Sequence, residues 1–314
     1  MKSNTGPISI ISEHCLSADE NAILALLVCA VDPKIGGVLL FGHEETANEA
    51  AVKCLAALLP PLIEKRCCRP GRGGFTGGAG HRAGGRHFLI KPRPLVTVPA
   101  DCRAENLYGD HEESDHVPDC PDFCPDLLTA VDQGVLYVPQ INRLGADLRE
   151  KIFTAFSERL VHVERHGKSY QWPSSFLLVA SVDSEAHVLT PRELDCFGLY
   201  ANRAETSAKD SCCRNRQDHS APMSWLGENP YGLLPAAIKL LPAVQVPGHI
   251  QERLAAFPGS DEDDPLKLRS KLQTAACALA ALCGRKMVSG KDLDRTAKMI
   301  LQPPILSKMT TTTN

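Results

Sequence analysis

The longest uninterrupted apolar run, Ala22 to Val31, follows the capping pattern Ser17-Ala-Asp-Glu20 and predicts a helix from about Ala18 to Val31. A turn, Asp32-Pro-Lys-Ile-Gly-Gly37, leads into Val38-Leu-Leu-Phe41. Four apolar residues bounded by glycines read as a strand buried on both faces. A second helix is expected from about Thr46 to Leu59, where Pro60-Pro61 stops it. Strand, turn and helix in that order open an α/β fold with a parallel sheet. Further along, Pro125–Ala130 predicts a short helix and Gly134–Val138 a second buried strand. A helix at about Asp147–Arg159, a hairpin at Val161–Trp172 and a third buried strand at Phe176–Ala180 follow. The C-terminal part reads as helical, with an Ala- and Leu-rich stretch from Leu266 to Cys283 and a last helix starting at Ser289-Gly-Lys-Asp292. No internal repeat is present.

Two stretches break this pattern. Residues 65–93 carry eight Lys or Arg, eight Gly and no acid, whereas residues 101–126 carry nine Asp or Glu against one Arg. Both are expected to be surface insertions with solvated charges, 65–93 as a Gly/Arg-rich loop and 101–126 as an acidic loop. Residues 206–225 are polar and irregular, as a linker would be.

Composition narrows the class. The chain has 314 residues, 43% hydrophobic and 23% charged, with net charge −3. That is enough chain for one large domain or two ordinary ones, and too apolar for a wholly disordered protein. A near-neutral balance argues against nucleic acid as main partner. Ten apolar residues are too few to cross a bilayer, so no membrane span is expected. The N-terminus lacks a basic start leading into an apolar core, so no secretory signal is expected. Thirteen scattered cysteines form no regular framework, which favours a reducing compartment.

The turn after the first strand is where a phosphate loop would sit. Such a loop needs glycines for close backbone approach, a lysine against phosphate charge and a hydroxyl on Mg²⁺. Here the segment is Gly42-His-Glu-Glu-Thr46-Ala47-Asn48-Glu49-Ala50. Ala47 replaces the second glycine, Asn48 the lysine and Glu49 the hydroxyl, while Glu44, Glu45 and Glu49 add charge that repels phosphate. Gly167-Lys168-Ser169 is a decoy: it falls in the expected hairpin, and His162 stands where the loop's first glycine belongs. His111, His116, Cys120 and Cys124 make only a weak zinc pattern, so no metal site is assigned, and no cysteine has a nucleophile's setting.

Several colinear segments nevertheless resemble one family. Val31–Gly42 and Lys53–Pro60 are similar to the AAA+ subunits of magnesium chelatase. So are Lys91–Pro99, Glu105–Gly109 and Pro125–Val138, then Val163–Gly167, Phe176–Ser181 and Leu194–Leu199, and last Ala275–Arg285. The resemblance covers roughly residues 18–200 and 265–302. It implies an α/β AAA+ domain over 1–205, a linker over 206–225 and a helical domain over 226–314. The departures carry as much information. Pro139-Gln140 stand where the family's Walker B has Asp-Glu, Asp183 at the sensor-1 Asn and Cys196 at the arginine finger. Each missing group stabilises charge in phosphoryl transfer, and loss of the finger alone costs about 10³–10⁵ in rate.

The resemblance implies a degenerate D-type subunit, which keeps the fold and couples an ATP-hydrolysing I-type subunit to the porphyrin-binding H subunit. Its integrin-I-like domain, marked by D-x-S-x-S, is not in this sequence, which points to a truncated or split D-type chain or a diverged relative. Gly42, Thr46, Ala47, Asn48, Glu49, Pro139, Gln140, Asp183 and Cys196 then form a vestigial nucleotide site with no catalytic residue. The expected role is non-hydrolytic: a platform in a hetero-oligomeric ring that inserts Mg²⁺ into protoporphyrin IX, in tetrapyrrole and chlorophyll biosynthesis. ATP and Mg²⁺ would be used by the complex rather than bound by this chain. The expected location is the cytoplasm, or the plastid stroma of a photosynthetic eukaryote. The alternatives are an ATP-binding chelatase-type enzyme subunit with divergent phosphate ligands and an orphan pseudo-AAA+ scaffold.

Overall fold

The computed structural model describes residues 20–41, 44–67, 86–99, 102, 127–165, 168–182, 189–202, 230–257 and 265–300. Its centre is a wholly parallel five-stranded sheet. The spatial order is β4 (Leu95–Thr97), β5 (Val135–Val138), β8 (Leu177–Val182), β1 (Gly37–Phe41), β9 (Phe197–Asn202). Two antiparallel hairpins stand apart from it, β2 (Leu62–Cys67) with β3 (Arg86–Lys91) and β6 (Leu160–Arg165) with β7 (Lys168–Pro173).

The buried strands alternate between two cores, one on each sheet face. Val38 and Leu40 of β1 and Val135 and Tyr137 of β5 join the first. Leu39, Phe41, Leu136 and Val138 join the second. The first core holds α1 (Glu20–Val31) and α2 (Glu45–Leu58) together with the C-terminal helices. These are α6 (Pro230–Leu240), α7 (Gly248–Ala255), α8 (Pro265–Leu282) and α9 (Gly290–Ile300). The second core is closed by α4 (Ala146–Glu158) and by Leu128 from the short α3 (Leu127–Ala130). Covering both faces explains why the sheet strands read as continuous apolar runs. It also explains α1: from Ala22 to Val31 no residue is more than 5% exposed, because the helix lies between the sheet and α8.

β9 carries an irregularity. Gly37 pairs with Phe197 but Val38 pairs with Leu199, so Gly198 is an extra residue in the ladder. The bulge turns Phe197 toward α4, where its ring meets Phe153 edge-on at 5.8 Å. Leu199 and Ala201 then face the first core and Tyr200 the second. A Cβ on Gly198 would lie 1.9 Å from the Ile35 carbonyl oxygen, so only glycine fits.

The α/β class, the parallel sheet and the helical C-terminal part are as expected from sequence. The structure corrects the reading of 65–93 as a loop alone, because its two ends pair in β2 and β3. The charged run Glu64-Lys-Arg66 hides a strand whose partner residues lie 19 to 29 positions further on. Lys168 and Ser169 sit on β7 opposite Arg165 and Glu164, the hairpin expected for the decoy sequence. Residues 68–85, the acidic loop apart from Cys102, and the expected linker lie outside the described residues, as do His111, His116, Cys120 and Cys124. Among the described residues no helix is long and apolar enough to cross a membrane. Nor do three or more His, Cys, Asp or Glu side chains gather there as a metal site would require.

Candidate functional site

In open α/β sheets, ligands bind in the crevice beyond the carboxyl ends of the strands, where the strand order reverses. Here β1, β5 and β8 end together, and α2 starts just after β1. The first turn of α2 therefore overlooks the crevice. Glu44 precedes it in extended conformation, and its carbonyl accepts from Ala47 N at 2.9 Å and Asn48 N at 3.1 Å. Thr46 is exposed, Ala47 half-buried and Asn48 buried at 3% exposure. The Asn48 Oδ1 is buried with no hydrogen-bond partner. Glu49 points outward and pairs with Lys53 at 2.7 Å along the same helix. The turn thus offers carboxylates to its own positive helix end and no free cation among its first five residues.

Opposite α2, the end of β5 runs into Pro139 and Gln140. Gln140 has a left-handed backbone, φ 46° and ψ 50°, which aims its N–H at Ser181 Oγ, 2.9 Å away. Ser181, on β8, in turn donates to Glu45 Oε2 at 3.0 Å. The Tyr137 hydroxyl donates to Glu45 Oε1 in a short hydrogen bond, and lies 3.5 Å from Ser181 Oγ. Burial, then the Glu45 carboxylate, push the Tyr137 phenol well above its ordinary value. Glu45, the first residue of α2, is therefore tied across the crevice to β5 and β8.

Thr46, Ala47, Asn48, Glu49, Pro139 and Gln140 are gathered at this one crevice. Cys196 is not: it precedes β9 at the amino end of the parallel sheet, the opposite pole. Its thiol lies 3.8 Å from the Arg192 carbonyl and is raised by burial. The segment bearing it is firmly held. Glu193 closes a capping box with Thr190 at the start of α5 (Pro191–Asp195) and receives Arg149 Nε of α4 at 2.7 Å. Lys267 of α8 pairs with Asp195 at 2.8 Å. Gly42 and Asp183 lie outside the described residues. Glu45, Tyr137 and Ser181 do not form a group in any motif of the sequence. A tyrosine inside a buried aliphatic strand was the available signal, since a buried phenol needs a partner.

No family model matches the sequence. Individual proteins do. The chain is 31% identical over 297 residues to the magnesium-chelatase 38 kDa subunit of Rhodobacter capsulatus, covering 90% of this chain and 84% of that one. It is 27% identical over 302 residues to the magnesium-chelatase subunit ChlI of a Nostoc species, covering 90% and 81%. A solved structure from Cytophaga hutchinsonii, described as an ATPase, superposes with TM-score 0.53 at 13% identity, over 94% of this chain and 85% of that one, which supports the fold alone. With near-full-length similarity to the 38 kDa subunit and with the expected sheet and helices in place, the chain belongs to the magnesium chelatase AAA+ family.

Proposed function

We propose that this chain is a non-hydrolytic AAA+ subunit of a magnesium chelatase, a D-type platform built on the small-subunit fold. It would assemble with an ATP-hydrolysing I-type subunit in a hetero-oligomeric ring and with the porphyrin-binding H subunit. The complex would insert Mg²⁺, as substrate, into protoporphyrin IX, and would work in the cytoplasm or plastid stroma. The single observation that carries the reading is the first turn of α2. A buried neutral Asn48, with the Glu45 carboxylate nearby, stands where nucleotide phosphates require a cation. Asn48 Oδ1 adds a lone pair with no donor, which a phosphate cannot satisfy. Pro139 and Gln140 provide no carboxylate for Mg²⁺, and Cys196 no positive charge for a neighbour's nucleotide. These residues do not fit a nucleoside triphosphate, and no step of the reaction is assigned to this chain. Its contribution is shape: the faces through which ring neighbours meet.

Calorimetry on the full chain tests this. MgATP is expected to bind more weakly than about 100 μM, roughly −5.5 kcal/mol or less in magnitude. A tighter constant would replace this reading with that of an ATP-binding subunit using divergent ligands. A chain that binds no nucleotide and no chelatase partner would leave the orphan scaffold.

A further inference from the structure

The donors around Glu45 form a site in their own right. Tyr137 and Ser181 are 1% and 3% exposed, so neither hydroxyl can turn to bulk water. Gln140 N–H already donates to Ser181 Oγ, which leaves the Ser181 proton to seek an acceptor. Both hydroxyls meet the same group, one at each oxygen of the Glu45 carboxylate. Two buried donors aimed at one point from neighbouring strands are a preorganised oxyanion cradle.

We infer that Tyr137 and Ser181 form an anion-binding site whose resident ligand is the chain's own Glu45. This rests on the reading that the crevice takes no nucleotide, and it adds what replaces the nucleotide. An internal carboxylate satisfies the donors, joins the start of α2 to the ends of β5 and β8, and keeps the crevice ordered without a bound small molecule. The class of ligand the cradle accepts is a compact oxyanion. With Glu45 in place that anion is tethered and outcompetes any free one; with Glu45 shortened, inorganic phosphate is admitted.

Thermal denaturation of the full chain is the test, run with E45A, E45Q and E45A/S181A, in sodium phosphate or in sodium chloride of equal ionic strength. E45A is expected to melt several degrees below wild type in chloride. Millimolar phosphate should recover part of that loss in E45A, leave wild type unchanged and do nothing for E45A/S181A. Equal phosphate shifts in all variants, or no shift in E45A, would overturn the inference. Should E45A fail to fold, E45Q decides by alkaline absorbance titration. Removing the charge should lower the pH at which its most resistant tyrosine ionises, and an unchanged curve would overturn the inference. Tight MgATP binding by wild type refutes the functional reading. An unresponsive E45A in a chain that binds no nucleotide refutes the anion site alone.

Discussion

Asp292 is only 4% exposed, and its carboxylate accepts from Arg285 Nη1 and Nη2 at 2.7 and 2.6 Å and from Ser289 N and Oγ, both at 2.8 Å. Burial raises its pKa, but these bonds outweigh burial and hold it below the ordinary aspartate value. Glu193 behaves alike: burial raises it, and Arg149 and Thr190 lower it more, to below the ordinary glutamate value. A carboxylate whose folded pKa is depressed gives stability that is complete above its unfolded value and lost as pH falls through the folded one. The urea midpoint should therefore drop as pH is lowered from about 4.5, these being the unfolded values near which the loss begins. In D292N the drop should be shallower. At neutral pH that variant should lose about 1–3 kcal/mol, from charge-assisted bonds exchanged for neutral ones. At the crevice, N48K should not restore MgATP binding in calorimetry, because Glu45, Glu49, Pro139 and Gln140 remain unsuited to it.

Among the described elements, β9 depends on the glycine at its bulge. G198A places a methyl against the Ile35 carbonyl and is expected to cost about 1–3 kcal/mol in chemical denaturation, with the Phe153–Phe197 contact disturbed in aromatic circular dichroism. R149A removes the cation from a largely buried pair and should cost on the order of 3 kcal/mol. The same elements show what the sequence carried. β1, β5 and β8 were legible because both faces of each are covered, which leaves four consecutive apolar or aromatic residues in every one. β9 was not: Gly198 interrupts Phe197–Asn202, and a bulge has no period to detect. β2 and β3 were hidden because the charged run Glu64-Lys-Arg66 breaks the apolar pattern of one strand, and its partners Leu89, Phe88 and His87 lie across a long intervening segment. In the site, the departures of Ala47, Asn48, Glu49, Pro139 and Gln140 from the nucleotide-motif pattern could be read by position. The bond from Tyr137 to Glu45 spans 92 residues and that from Ser181 to Glu45 spans 136, so only the folded strand order creates them.

At the scale of the whole molecule, the two poles of the sheet differ in what they carry. The carboxyl pole holds a crevice filled from within. The amino pole carries Cys196, which on the proposed reading would offer no charge to a neighbour's nucleotide. A ring of this chain alone should therefore be inert. Size exclusion with light scattering, on the chain mixed with a cognate 38 kDa-type subunit and MgATP, is expected to show a hetero-oligomer. Its contacts should bury about 1,200 Å² or more each. A chain that stays monomeric while the partner forms rings would leave the chelatase proposal without a mechanism. α8 then sets how such a ring moves. Leu272, Ala275, Ala276 and Leu279 lie in the same core as α1 and the sheet, and Lys271 reaches the Phe197 carbonyl at 3.4 Å. Swinging the C-terminal helices outward would wet that seam, at about 1.5–3 kcal/mol for each large apolar side chain exposed. On the proposed reading the subunit would act as a strut: among the described residues the C-terminal helices and the sheet share one packed core, so a working neighbour's push would be passed on through that seam.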